Sequence, residues 1–355
     1  MKLREGIVVS ENRLQLSAIS HWIRNNFFYL WAFLIASLIF FAIIRQRAVM
    51  PIDWRIIVIW WVLFGYWTQP VLIKKIASAP GRARNLVWQY FFSAVFAVIA
   101  AMIAKYVFGA VCAWDSKLIF VLILGAFNGF ACYCHWRAAA INLAATSVNT
   151  WADDVIAMVL GLIVLGEARY LNLQLGIGIL FSLSAILLFT FAKTISLKAN
   201  VAAGEHPAGI QRIALWVACY SLIWGGAMFL MRFFSLKGVP LWEFVPCWYS
   251  GSFLGALGVF ACAHKEERGD PSTLLQSMGR VMPISLNICI SLSMAYWARS
   301  LAPITVTQPL LQISEMIFPT LVGLIIFEEH THFNKLGWLA IAIGLIGGTT
   351  IVLSF

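Results

Sequence analysis

Three carboxylate side chains lie within stretches of the sequence that are otherwise almost entirely apolar. Asp153 and Asp154 interrupt an apolar block at 142–165, and Glu315 interrupts another at 303–327. An ionised carboxylate near the centre of a lipid bilayer costs at least about 2.5 kcal/mol, so such a group normally faces a water-filled cavity or a charged partner. We therefore predict that these acids bind a cationic solute or carry protons.

A structural role is the alternative, in which the acids form a fixed salt bridge or a hydrogen-bonded lock between helices. The binding hypothesis is favoured because the sequence places no lysine or arginine at a matching depth to neutralise them. Asp153 and Glu315 also occupy equivalent positions in an internal repeat, so pseudo-symmetry would bring them to one central cavity.

Five further side chains are candidates to line the same site. Tryptophan rings can hold a cation against their faces, and side-chain amides can form hydrogen bonds inside a helix bundle. The candidates are Trp67, Trp151, Trp224, Asn149 and Gln312. Helix packing is the competing interpretation for each of them.

The elements that must position these residues are membrane-spanning helices. The sequence is 61% hydrophobic and 11% charged, with a mean hydropathy of +0.86, whereas a soluble domain carries about 25% charged residues. The apolar blocks have the length of about 20 residues that a helix needs to cross a bilayer. They lie at 27–44, 56–73, 86–109, 118–136, 142–165, 173–192, 213–234, 241–263, 281–298, 303–327 and 336–354. We predict an all-α integral membrane protein of about 11 spans, in a plasma or bacterial inner membrane.

Charge and cysteine usage exclude several other classes. The net charge of +10 comes from basic residues between apolar blocks, where they orient helices, so no nucleic-acid partner is expected. Cys132, Cys134 and His135 resemble a metal cluster, but on a helix only Cys132 and His135 share a face. We expect no metal site and no cofactor. The sequence has no P-loop and no hydrolase or zincin constellation, so we expect no enzyme activity.

An internal repeat is the most informative feature of the chain. At a constant offset of 162 residues, Arg137 aligns with Arg299, Asp153 with Glu315, and Glu167 with Glu329; a second block aligns at an offset of 157, where Arg55, Trp67 and Lys75 match Arg212, Trp224 and Arg232. Each repeat holds five predicted helices. Because five is odd, the two halves must enter the membrane from opposite sides, as in secondary transporters whose solute site lies between the halves.

The repeat sets the predicted domain organisation. It consists of a polar tail at 1–26, an extra transmembrane helix at 27–47, a first five-helix repeat at 54–192, a linker at 193–211 and a second repeat at 212–355. The partners expected are a small-molecule solute and the lipid bilayer.

Residues at helix ends and small residues receive structural interpretations. Glu167, Glu328 and Glu329 are predicted to be helix caps or interface charges, and Arg137 and Arg299 to act in helix connections. Gly251 and Gly255, like Ala340, Gly344 and Gly348, are four apart and suit close helix contact. Packing within the chain is the default for these small residues, and a homodimer face is the alternative.

The two halves end in similar segments, GLIVLGEARYLNLQLGIGILFSLSAILLF and GLIIFEEHTHFNKLGWLAIAIGLIGGTTIVL, and the first helix of the second half carries Trp224–Gly225. In these features nearly everything after residue 54 resembles EamA-type members of the drug/metabolite transporter superfamily. The resemblance implies a ten-helix fold, solute export or exchange, and no cofactor.

Three features depart from that family pattern. The helix at 27–44 is additional, and Ala157 stands where the second half has Pro319. The first repeat helix also lacks the acid by which small multidrug resistance proteins exchange protons for drugs, so that mechanism is not carried over.

Together these features predict a secondary transporter. It would export or exchange small polar or amine-bearing metabolites such as amino acids, with protons as a candidate coupling ion. A multidrug or cationic-compound exporter is the alternative, favoured by the aromatic content. A non-transporting membrane sensor or enzyme is disfavoured, since no water-side domain is apparent in the sequence.

Overall fold

The computed structural model describes residues 27–38, 52–77, 79–110, 115–141, 146, 151–202, 208–270, 274–327 and 335–355. These residues form helices and their connections, and no strand occurs among them. In chain order the helices are α1 (Phe27–Leu38), α2 (Trp54–Ala77), α3 (Arg82–Phe108), α4 (Lys117–Ile141), α5 (Trp151–Val164), α6 (Leu173–Ala202), α7 (Ala208–Leu236), α8 (Leu241–Cys262), the short α9 (Lys265–Arg268), α10 (Leu274–Leu301), α11 (Ile304–Ile325) and α12 (Lys335–Ser354). A 3-10 turn at Glu167–Tyr170 joins α5 to α6.

Eight of the described helices are long and apolar enough to cross a membrane, namely α2, α3, α4, α6, α7, α8, α10 and α12. Two others carry the three acids. The described part of α5 has 14 residues, and α11 has 22 residues whose apolar content is diluted by threonine, glutamine and glutamate. The chain is therefore a multi-pass α-helical membrane protein, as the apolar blocks predicted.

The bundle has two ends that are fixed by side-chain contacts. At the end where α2 begins, the rings of Trp54 and Tyr170 each pack edge-on against Phe355 with centroids 6.1 Å apart. We call this the Trp54 end. At the opposite end, called the Ala77 end, Arg82 forms an ion pair with Glu267 at 3.1 Å. Asp53 begins α2 by accepting a hydrogen bond from the Arg55 amide at 2.9 Å, and that bond holds the pKa of its carboxyl below the usual value.

Close helix contacts follow the small residues. Helix α4 packs against α8, where a Cβ atom on Gly251 or Gly255 would collide with backbone carbonyls of α4. The structure therefore shows these two glycines in helix packing within the chain, as predicted. The other main contacts pair α6 with α12, α3 with α8 and α10, α7 with α4 and α5, and α2 with α10.

Helix α2 contains a π-helical turn at Leu63–Thr68. Such a turn frees backbone groups and is frequent at functional sites. Here the Phe64 carbonyl accepts hydrogen bonds from Thr68 Oγ1 and from Asn287 Nδ2, both at 2.9 Å. The additional helix α1 docks at the same point, because Trp31 Nε1 donates to Asn287 Oδ1 at 3.0 Å.

The helices extend further than the apolar blocks from which they were predicted. The stretch 193–211, predicted as a linker, is helical at both ends, since α6 continues to Ala202 and α7 begins at Ala208. Lysine has a high helix propensity, so a polar stretch does not by itself end a helix. The predicted tail at 1–26 and the second part of the segment 27–47 lie outside the described residues.

Candidate functional site

The three acids predicted from the sequence meet in the interior of the bundle. One carboxylate oxygen from each of Asp153, Asp154 and Glu315 lies within 4.8 Å of the other two. Asp153 and Glu315 each lie about eleven residues from the Trp54 end of their helix, which is roughly 17 Å at 1.5 Å per residue. That depth is close to the middle of a hydrocarbon core of about 30 Å.

Burial of the two aspartates makes their ionised forms costly unless other groups compensate the charge. Asp153 has no exposed surface and Asp154 is 1% exposed. Asp153 Oδ1 accepts a hydrogen bond from the Asp154 amide at 3.0 Å, whereas Asp153 Oδ2 has no hydrogen-bond partner among the described residues. A buried carboxylate needs a proton, a cation or several donors, so Asp153 has room for one more partner.

Arg299 supplies a positive charge that the sequence analysis did not place at this depth. It is fully buried and donates to Gln308 Oε1 at 2.9 Å, while Gln308 Nε2 donates to Asp154 Oδ1. The prediction that no arginine lies near the acids was therefore wrong. Arg299 stands in the last turn of α10, where a sequence block suggests a helix connection, but its long side chain extends inward.

The Arg299 guanidinium also covers an aromatic stack. Its Cζ atom lies 4.4 Å from the centroid of the Trp61 ring, and Trp61 stacks on Tyr66 with centroids 6.4 Å apart. A guanidinium over an indole face gains cation–π attraction. Arg299 is thus held by Trp61 on one side and by the Gln308 bridge to Asp154 on the other.

A cavity of about 130 Å³ adjoins the acid cluster. Glu315 lies on its wall, and 11 of the other 24 lining residues are tryptophan, tyrosine, glutamine or asparagine. The aromatic members are Trp61, Tyr66, Tyr90, Trp136, Tyr220, Trp224, Trp248 and Tyr249, and the amides are Gln69, Gln89 and Asn128. The cavity can therefore hold a cationic or flat apolar body beside a carboxylate, with hydrogen-bonding groups nearby.

The other predicted site residues fall in different places. Trp224 lines the cavity and packs against Trp248 with ring centroids 5.7 Å apart. Trp67 is not among the described lining residues and packs edge-on against Phe318 at 6.1 Å. Gln312 is 3% exposed and likewise does not line the cavity. Asn149 lies outside the described residues, as does the side chain of Trp151, which begins α5.

Gly225, next to the predicted Trp224, allows helix α7 to approach the acids closely. A Cβ atom at this position would lie 2.6 Å from the carbonyl oxygen of Asp153 and 2.8 Å from Ile156 Cβ. At the neighbouring Gly226 a Cβ atom would meet nothing within 4 Å. The Trp–Gly pair therefore places an indole on the cavity wall and the backbone of α7 against Asp153.

We predict that Gly225→Ala lowers the free energy of unfolding by roughly 1–3 kcal/mol, because the extra methyl group overpacks the contact between α7 and α5. Gly226→Ala is the matched control and should retain wild-type stability. Heat or denaturant unfolding of each purified variant in detergent measures the effect. Equal stability of the two alanine variants would contradict the prediction.

A buried ion pair between Glu167 and Arg232 lies towards the Trp54 end of the bundle, next to the backbone of Arg299. Glu167 Oε1 accepts from Arg232 Nε at 3.2 Å, and Glu167 Oε2 accepts from the Thr305 amide at 3.1 Å. Arg232 also donates to the Arg299 carbonyl. Glu167 thus caps the N-terminus of α11, the role that its position at a helix end predicted. Glu328 and Glu329 lie outside the described residues.

The Ala77 end carries a more exposed ionic contact. Glu267 lies 3.1 Å from Arg82 and 3.9 Å from Arg137, and Arg84 donates to the Asp270 carbonyl. Arg137 thus connects helices at a bundle end, whereas Arg299, with which the sequence aligns it, is directed into the interior. The two aligned arginines therefore have different environments.

The cluster offers only hard oxygen donors to a ligand. Carboxylates of this kind bind protons, organic ammonium groups or hard metal cations. Cys132 and His135 both line the cavity, as their shared helix face predicted, and the His135 ring lies 4.8 Å from that of Tyr220. Among the described residues, the three acids form the one group of acidic, histidine or cysteine side chains close enough together to share a metal ion.

The fold and site define a multi-pass α-helical membrane protein with a buried acidic cluster beside an aromatic cavity. No family model and no curated protein matches the sequence. Thirteen chains of solved structures do match. One of them, described as "Crystal structure of protein", aligns with a TM-score of 0.58 and 15% identity, over 84% of this chain and 97% of that one. At this identity the likeness shows a common fold alone.

Proposed function

We propose that this protein is a secondary transporter, an exporter or exchanger of small amine-bearing metabolites that moves its solute against protons. The observation that carries the proposal is the cluster of buried Asp153, buried Asp154 and half-buried Glu315 inside the helix bundle, beside an aromatic cavity. Intramembrane acids are costly and commonly mark solute and proton pathways. We expect the protein to reside in a plasma membrane or a bacterial inner membrane.

Charge balance around the cluster supports coupling between an amine and a proton. Arg299 can offset one negative charge of the cluster, while Asp153, whose Oδ2 has no hydrogen-bond partner among the described residues, lies in a medium that tolerates few uncompensated charges. Gln308 directs its carbonyl oxygen to Arg299 and its amide nitrogen to Asp154, an orientation that suits an ionised pair. Asp153 would then need a proton or a cation, and an arriving ammonium group would release that proton.

The packing of the helices supports an inverted repeat of five plus five helices with α1 added, the arrangement of EamA-type transporters. In the proposed repeat α4 and α8 correspond to α10 and α3, and both pairs are in contact. Likewise α4 with α7 corresponds to α10 with α2. Repeats related in this way place the solute between the halves, where the acids lie.

A multidrug or cationic-compound exporter is the second candidate, and the aromatic cavity wall favours it. Reconstituted vesicles separate the two candidates when uptake of amines, amino acids and lipophilic dyes is compared with and without a pH gradient. The proposal expects small amines to accumulate when a pH gradient is imposed. Transport restricted to bulky dyes would favour the second candidate, and no gradient-dependent flux of any of these solutes would contradict both.

A further inference from the structure

Two polar atoms on the cavity wall have no hydrogen-bond partner among the described residues. They are Gln89 Oε1 and Trp136 Nε1, on side chains that are 1% and 0% exposed. Both residues line the same cavity as Glu315. Buried polar atoms are nearly always satisfied, so an acceptor and a donor left over on one cavity wall indicate a ligand group that meets both.

These two residues belong to a different wall from the acids. Gln89 is on α3 and Trp136 on α4, and both helices pack against α8. Glu315 is on α11, which packs mainly against α2, α5, α6 and α12. A molecule that places a cation at Glu315 therefore extends across an aromatic cavity before its other end reaches Gln89 and Trp136.

We propose that the transported solute has a second, neutral polar group opposite its amine, and that Gln89 and Trp136 bind it. The indole N–H of Trp136 requires an acceptor, and the Gln89 carbonyl requires a donor. A hydroxyl or a primary amide provides both. The solute class is then a primary amine joined through a flat apolar body to a hydroxyl or amide group. This inference rests on the proposed transport function and makes it more specific.

The test compares tyramine, which has a hydroxyl opposite its amine, with phenethylamine, which lacks that hydroxyl. In vesicles with the wild-type protein, we expect transport efficiency for tyramine to exceed that for phenethylamine by about tenfold, the effect of one or two buried hydrogen bonds. Trp136→Phe and Gln89→Leu should each bring this ratio towards one. Trp54→Phe is the control, since Trp54 lies at the bundle end against Phe355, and it should keep the wild-type ratio.

The outcomes separate this inference from the proposed function. If both amines are transported with no preference for tyramine, the proposed binding of a second polar group by Gln89 and Trp136 is wrong, and the proposed transport of amines stands. An unchanged preference in both variants, with wild-type melting temperatures, would also overturn it. If neither amine is transported by the wild-type protein, the proposed function and this inference fail together.

Discussion

Replacing Glu315 by glutamine is expected to reduce amine transport by at least about tenfold and to remove its dependence on a pH gradient. Glu315 is the member of the acid cluster that lies on the cavity wall. The glutamine keeps the size of the side chain but can neither carry a negative charge nor exchange a proton. A hydrogen bond to a charged group contributes about 1.5–3 kcal/mol, which corresponds to roughly 10- to 150-fold in affinity.

The same loss is expected for Asp153→Asn, because Asp153 is fully buried and one of its oxygens has no partner among the described residues. Asp115→Asn is the matched control. Asp115 is outside the bundle interior and pairs with Lys117 at 2.8 Å, and its variant should transport normally. If Glu315→Gln and Asp153→Asn retain wild-type rates and pH dependence, the acids form a structural lock, the alternative that the sequence left open.

The second large effect concerns stability. Glu167→Gln is expected to lower the free energy of unfolding by about 3–5 kcal/mol, the usual result of removing one partner from a buried ion pair. The pair of Glu167 and Arg232 has side-chain exposures of 2% and 7%, so the remaining guanidinium would be left in a poorly solvated place. Glu167 also caps α11 through the Thr305 amide, and a glutamine oxygen is a weaker acceptor there.

Unfolding of the purified protein in detergent, followed by heat or denaturant, measures this loss. Lys117→Gln is the control because it breaks an exposed pair, and exposed pairs contribute little. A Glu167→Gln variant as stable as the control would show that the buried pair does not hold α5, α7 and α11 together.

The meeting of the acids could be predicted because an ionised carboxylate is energetically costly within an apolar span. A carboxylate in the middle of an apolar span has few tolerable environments, and the predicted repeat aligns Asp153 with Glu315, so a shared environment was the expectation. The helical class likewise follows from the length of the apolar blocks. These inferences need residue types and spacing, and no knowledge of side-chain direction.

Side-chain direction is where prediction from the sequence failed. Arg299 was assigned to a helix connection because its position in the chain is near Leu301, but a long side chain can reach several ångströms back into the bundle. Gln308, which bridges Arg299 to Asp154, is recognisable in the sequence as an amide within an apolar span, but its position in the chain does not identify its partners.

The π-helical turn explains why Tyr66, and not the predicted Trp67, lies on the cavity wall. Sequence periodicity assumes about 100° of rotation per residue. A π turn has more residues per turn, so the face presented after Leu63 differs from the one that a regular helix would give. Tyr66 lines the cavity and Trp67 packs against Phe318, and no residue pattern in the sequence announces this turn.

We propose that an amine and a proton compete for the acids of the cluster. Proton release on binding is the measurement of this competition, made with purified wild-type protein in a weakly buffered detergent solution titrated with tyramine. Because an ammonium group would replace a proton at Asp153 or Glu315, about one proton should be released per bound amine near neutral pH. Saturable amine binding with no proton release would contradict the claim.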